Sequence, residues 1–97
     1  MPPEEVSKED VVEVKFSAPE GGRIEKLTAK VNDKPIPGAR SPHGESVKAP
    51  AGQWKLRWEI RGKARGNYHL LVTVNGQEVL SEDMSFDEWG VDNGFYP

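Results

Sequence analysis

The chain has no cysteine. That excludes a disulfide framework, a thiolate zinc site and a cysteine nucleophile. Histidine is scarce, occurring only as His43 and His69. A histidine-built metal centre would need carboxylate help, and no His-Glu-x-x-His spacing occurs. Long apolar runs are also missing, the longest being of the kind Leu70-Leu71-Val72. A membrane-spanning helix needs about 20 apolar residues, so none is expected. The start, Met1-Pro2-Pro3-Glu4-Glu5, has no apolar stretch behind it, so no signal peptide is visible. The default expectation is a cytoplasmic protein, with a secreted or periplasmic one the alternative if a leader has been removed. No Walker A, GxGxxG or GxSxG pattern is present. The acidic set Asp83, Asp87, Glu88 and Asp92 lacks the spacing of an EF-hand loop. A loop pairing of His43 with Ser41 or Ser46 has no third member to fix it. The expectation is therefore no catalytic residues, no metal, no cofactor and no enzymatic activity.

What is present is a polar chain of 97 residues, 35% hydrophobic and 30% charged, the size of one small domain. The net charge of −3 is unevenly placed. Residues 1–10 net −3, residues 11–80 hold twelve Lys/Arg against seven Asp/Glu, and residues 81–97 hold five acidic residues and no basic one. A basic body with acidic ends fits a basic face that meets an acidic partner. It equally fits acidic ends that lie over the body and aid solubility. The basic residues form no run, so nucleic acid is not an expected partner.

Glycine (10) and proline (8) fall between short runs of β-branched and aromatic residues, which predicts many short strands and no long helix. Residues 11–16 alternate with Val12, Val14 and Phe16 on one face. Residues 23–32 place Leu27, Ala29 and Val31 on one face, with Ile24 out of phase and marking a bulge. Ile36 lies between two prolines, so any strand there is short and at an edge. Residues 37–46 read as an exposed, turn-rich loop. Residues 53–61 alternate most clearly, with Trp54, Leu56, Trp58 and Ile60 on one face. Tyr68, Leu70, Val72 and Val74 repeat the pattern, and Asn75-Gly76 opens a type I′ hairpin into residues 77–86.

Matching apolar faces predicts an antiparallel meander of residues 53–61, 68–74 and 77–86. Its inner face includes Trp54, Trp58 and Val79. Its outer face carries two notable rows: Arg57, Leu71 and Leu80, then Glu59, His69 and Glu82. Leu71 and Leu80 form a partner patch, lie under the C-terminal segment, or are separated by a bulge that turns one of them inward. His69 between two carboxylates reads as a solvated charge row or a pH-sensitive surface. The strands at 11–16 and 23–32 cover the inner face. The expected fold is all-β: a small antiparallel sandwich of roughly six to seven strands. Residues 1–10 form a loosely attached or disordered segment, 11–86 the sandwich, and 87–97 an acidic aromatic tail.

The run Gly66-Asn67-Tyr68-His69-Leu70-Leu71-Val72-Thr73-Val74 resembles the penultimate strand of immunoglobulin-like and fibronectin-type-III-like sandwiches. The resemblance implies that Tyr68 is a corner tyrosine and that residues 77–86 form the last strand. It brings no activity with it. The expected function is a non-catalytic protein-binding or adaptor domain. It would act through strand edges, the 37–46 loop and the C-terminal tail, with Arg57, Leu71, Leu80, His43, Trp89, Phe95 and Tyr96 as candidate contacts. The alternative is a carbohydrate-binding module that uses exposed aromatics. A protein partner is expected, a carbohydrate or a second copy is open, and no membrane insertion is expected.

Overall fold

The computed structural model describes residues 9–19, 22–40 and 42–97. The strands are β1 (Glu9–Ser17), β2 (Ile24–Val31), β3 (Lys34–Pro35), β4 (Glu45–Pro50), β5 (Leu56–Gly62), β6 (Asn67–Val74), β7 (Gln77–Ser85) and β8 (Val91–Tyr96). They form two antiparallel four-stranded sheets, sheet A in the order β4-β1-β6-β7 and sheet B in the order β3-β2-β5-β8. This is a β-sandwich of eight strands, more than the six to seven expected. The additional strands are those whose prolines or polar residues hide the alternation. The expected N-terminal segment falls largely on residues 1–8, outside the described residues, while Glu9 and Asp10 open β1. No helix among the described residues is long and apolar enough to cross a membrane.

Alternation in the sequence dictates the two inner faces. Sheet A contributes Val12, Val14, Phe16, Val47, Ala49, Tyr68, Leu70 and Val72, and sheet B contributes Ala29, Val31, Leu56, Trp58 and Ile60, all buried. Each large side chain taken fully out of water contributes about 1.5–3 kcal/mol before its entropy is counted. Phe16 packs edge-on to Trp58 at 5.7 Å and lies beside Tyr68, which in turn meets Phe86 at 5.0 Å. The core is therefore aromatic at one end and aliphatic at the other.

The expected meander is not formed. β5 pairs with β2 and β8, whereas β6 pairs with β1 and β7. Their apolar faces meet across the core instead of lying side by side, an arrangement the period-two pattern satisfies equally well. The crossing is tight. A side chain at Gly62 would meet the Arg23 carbonyl at 2.3 Å and the Phe86 ring at 2.6 Å. Arg65, at φ 61°, donates its N–H to the Asp87 carbonyl.

The Asn75-Gly76 hairpin forms with Val74 opposite Gln77, but a bulge shifts the register between Val72 and Thr73. Val72 then faces Leu80, and His69 faces Asp83. Val79, expected inside, is exposed, while Leu80 packs on the core. The bulge expected near Ile24 is present, between Ile24 and Lys26.

The 37–46 segment is not a free loop. Pro37–Arg40 forms a 3-10 turn in which Ala39 is buried, Ile36 beside it is buried too, and β4 begins at Glu45. The Arg40 guanidinium donates to the Ile24 and Glu25 carbonyls. Ser41 lies outside the described residues. Residues 87–97 are likewise largely in the sheet, since β8 pairs with β5 along its length. β7 is thus not the last strand.

Candidate functional site

The outer face of sheet B follows from its register. Lys26 lies opposite Arg61, Thr28 opposite Glu59, and Lys30 opposite Arg57. On the other side of β5, Val91 faces Arg61, Asn93 faces Glu59 and Phe95 faces Arg57. Three rows result: Lys26–Arg61–Val91, Thr28–Glu59–Asn93 and Lys30–Arg57–Phe95. Lys55 extends the cationic set past the last row, where it lines an open depression with Lys30, Arg57 and the half-buried Trp54. A second depression next to it is lined by Thr28, Lys30, Arg57, Glu59, Asn93 and Phe95.

Two of these rows set like charges directly against each other on neighbouring strands. Strands lie about 4.8 Å apart, and like-charged pairs in that position are destabilising. Among the described residues, none of Lys26, Lys30, Lys55, Arg57 and Arg61 forms an ion pair. Glu59 is the one carboxylate in the three rows. At the end of the Lys30–Arg57 row, Phe95 is 68% exposed.

The outer face of sheet A is different. Its rows are Ser46–Glu13–Thr73–Glu78, then Lys15–Leu71–Ser81, then Ser17–His69–Asp83. In these rows each charged residue stands opposite a polar or apolar one, apart from His69 opposite Asp83. Thr73 donates to Glu13, and His69 bonds Asp83 through Nδ1 at 2.7 Å and Ser81 through Nε2 at 2.9 Å. His69 therefore has one carboxylate beside it. The expected second one, Glu59, lies in the other sheet, and the bulge puts Asp83 in the place expected for Glu82.

The candidate contacts separate accordingly. Arg57 and Phe95 are neighbours on sheet B. Leu71 and His43 line a small depression on sheet A with Glu13 and Lys15. The expected row of Arg57, Leu71 and Leu80 does not exist, because β5 and β6 belong to different sheets and Leu80 turns inward. Tyr96 is half-buried, 6.1 Å from the Trp54 ring, and its hydroxyl donates to the Val79 carbonyl at the β7 bulge. Trp89 is 75% exposed. It stands on a tied turn, in which the Asp87 carboxylate accepts the N–H groups of Trp89 and Val91. Gly90 closes that turn at φ 77°, a conformation glycine adopts without strain.

Trp54 and Trp58 do not form a platform. Trp58 is buried with its indole N–H donating to the Tyr68 hydroxyl at 3.0 Å, and the Trp54 indole N–H donates to Asp10. Tyr68 spends its own proton on Asp92, so it bridges the sheets; it makes no corner bond to nearby backbone. Burial, and then the Asp92 carboxylate, push its phenol well above the ordinary tyrosine value. Among the described residues, no group of three or more His, Asp or Glu is placed to hold a metal ion.

Lys26, Lys30, Lys55 and Arg61 were not among the candidate contacts. The signal was in the alternation. Once Leu27, Ala29 and Val31 point inward beside Leu56, Trp58 and Ile60, the intervening cations must share the opposite face. Compared with known proteins, the chain matches no family model, no curated protein and no solved structure. The fold and this face are what define its class: a β-sandwich whose sheet B carries a predominantly cationic outer surface among the described residues.

Proposed function

We propose that this domain is a non-catalytic protein-binding or adaptor module that engages its partner through the outer face of sheet B and the β8 segment beside it. One observation carries the reading. Lys30 faces Arg57 and Lys26 faces Arg61 with no ion pair among the described residues, next to the exposed ring of Phe95. Like charges directly opposite each other on neighbouring strands cost stability, and among the described residues the rows of the other face contain no such pair of opposed cations. Opposed cations that outnumber the carboxylates around them, with an aromatic at the margin, are what an acidic protein surface would meet with charge complementarity. The 37–46 segment contributes less than its length suggested, because much of it is fastened to the core.

The two exposed aromatics, Trp89 and Phe95, support the carbohydrate reading as a second possibility. A glycan array separates it from the first. A two-fold dimer through the sheet B face would set cations against cations and is disfavoured.

The experiment is photo-crosslinking in extract of the native host, comparing the full chain with its Lys30→Glu/Arg57→Glu and Leu71→Ala variants. The reading expects a protein partner captured by the parent and by Leu71→Ala, and lost from the charge-reversed chain. Capture unchanged by charge reversal would overturn it.

A further inference from the structure

We propose that the outer face of sheet B recognises an extended acidic peptide segment, with carboxylates four residues apart and a hydrogen-bond donor midway between them. This rests on the reading of the face as a protein-binding surface, and it names the partner's chemistry.

The argument is one of spacing. Lys26 and Lys30 are four residues apart on β2, and Arg57 and Arg61 four apart on β5. Strands rise about 3.3 Å per residue, so the two cationic pairs lie about 13 Å apart along the strand direction. An extended peptide laid along the strands has the same rise, and its residues i, i+2 and i+4 point to one side. A carboxylate at i reaches Lys26 and Arg61, and one at i+4 reaches Lys30 and Arg57. Each arginine offers a planar fork suited to a carboxylate. Between them, residue i+2 meets Thr28, Glu59 and Asn93. The Glu59 carboxylate accepts hydrogen bonds and repels anions, so it selects a serine, threonine, asparagine or lysine at that position. Phe95 lies beside Arg57 and presents an exposed ring at the side of the second cationic pair.

The same midpoint argues against nucleic acid. A phosphate backbone carries a charge on every nucleotide and would set one against Glu59. A peptide can leave that position neutral.

The test is an NMR titration of the ¹⁵N-labelled full chain with three probes. The first is a glycine-flanked peptide, Glu-Ser-Thr-Ser-Glu. The second has the same composition with its two glutamates adjacent. The third is a short single-stranded thymidine oligonucleotide. The spaced peptide is expected to shift amides of β2, β5 and β8, and to bind about fivefold or more tightly than the adjacent-glutamate peptide at low salt. Lys30→Glu and Arg57→Glu should remove the shifts, and Leu71→Ala should keep them. A Glu59→Gln variant should narrow the preference over the oligonucleotide. Equal binding of the two peptides overturns the spacing while leaving a protein-binding face intact. No shift from either peptide overturns the acidic-peptide proposal, and the crosslinking result then decides the broader reading separately. Tighter binding of the oligonucleotide overturns both.

Discussion

The Tyr68 hydroxyl donates a 2.7 Å hydrogen bond to Asp92 Oδ2, joining β6 of sheet A to β8 of sheet B. The same oxygen accepts the Trp58 indole N–H, so one phenol satisfies two groups of the opposite sheet. Removing it strands both. Tyr68→Phe should lower unfolding stability by about 1–3 kcal/mol, the cost of leaving buried polar groups unpaired. Urea unfolding followed by tryptophan fluorescence measures it; a change within error would mean that the bridge contributes nothing.

The raised phenol value of Tyr68 has a consequence at high pH. The folded state keeps the proton after the unfolded chain has lost it. The stability linked to this proton is therefore complete below pH about 10, the ordinary tyrosine value, and is lost as pH rises beyond it. Tyr68→Phe lacks that component. Its stability deficit relative to the parent should shrink between neutral and strongly alkaline pH, which unfolding midpoints along a pH series would show.

Asp10 acts at the other extreme. Its carboxyl is held below the ordinary carboxylate value chiefly by the Gly52 N–H, against a partial opposing effect of burial, and with help from the Asn75 amide and the Trp54 indole. A lowered value means that its contribution is fully present above the unfolded aspartate value of about 4 and is lost as pH falls through the folded one. Asp10→Asn should flatten the acid limb of the melting-temperature profile. An acid limb identical to the parent's would remove Asp10 from the account.

Gly94 sits opposite Trp58 in the sheet, and a side chain there would come within 2.5 Å of the indole. The ring is packed against Phe16 and bonded to Tyr68, so it has little freedom to yield. Gly94→Ala should cost about 1–3 kcal/mol, as overpacking does. Thermal melting tests it, with Gly76→Ala as a contrast in which the added methyl meets no neighbour and the penalty arises from φ 84° alone.

Much of this architecture could be read from residue order. Leu56, Trp58, Ile60, Tyr68, Leu70 and Val72 alternate cleanly, and all are buried. Asn75-Gly76 marks the turn of the β6–β7 hairpin and the Val74–Gln77 pair, but not the register beyond the bulge. Which sheet each strand joins could not be read, because inward-facing residues match as well across a core as along a sheet. The β7 bulge was one of three open alternatives, since nothing local to Val79 distinguishes it from its neighbours. β4 was hidden by Pro42 and Pro50, and β8 by Asp92, Asn93 and Gly94, whose polarity suits an edge strand but resembles a tail. The cationic face stayed hidden for a related reason. Its members come from β2 and β5, and only their pairing gathers them.

The central claim is that the outer face of sheet B keeps a repulsive arrangement that an acidic partner relieves. Arg57→Glu tests it most directly, because it converts the Lys30–Arg57 row into an opposite-charge pair. The account predicts a more stable free domain, by about 0.2–1 kcal/mol at low ionic strength and less at high salt. It predicts that the same variant loses the acidic probe. A variant that is less stable than the parent at low salt, or that still binds the probe unchanged, would contradict it.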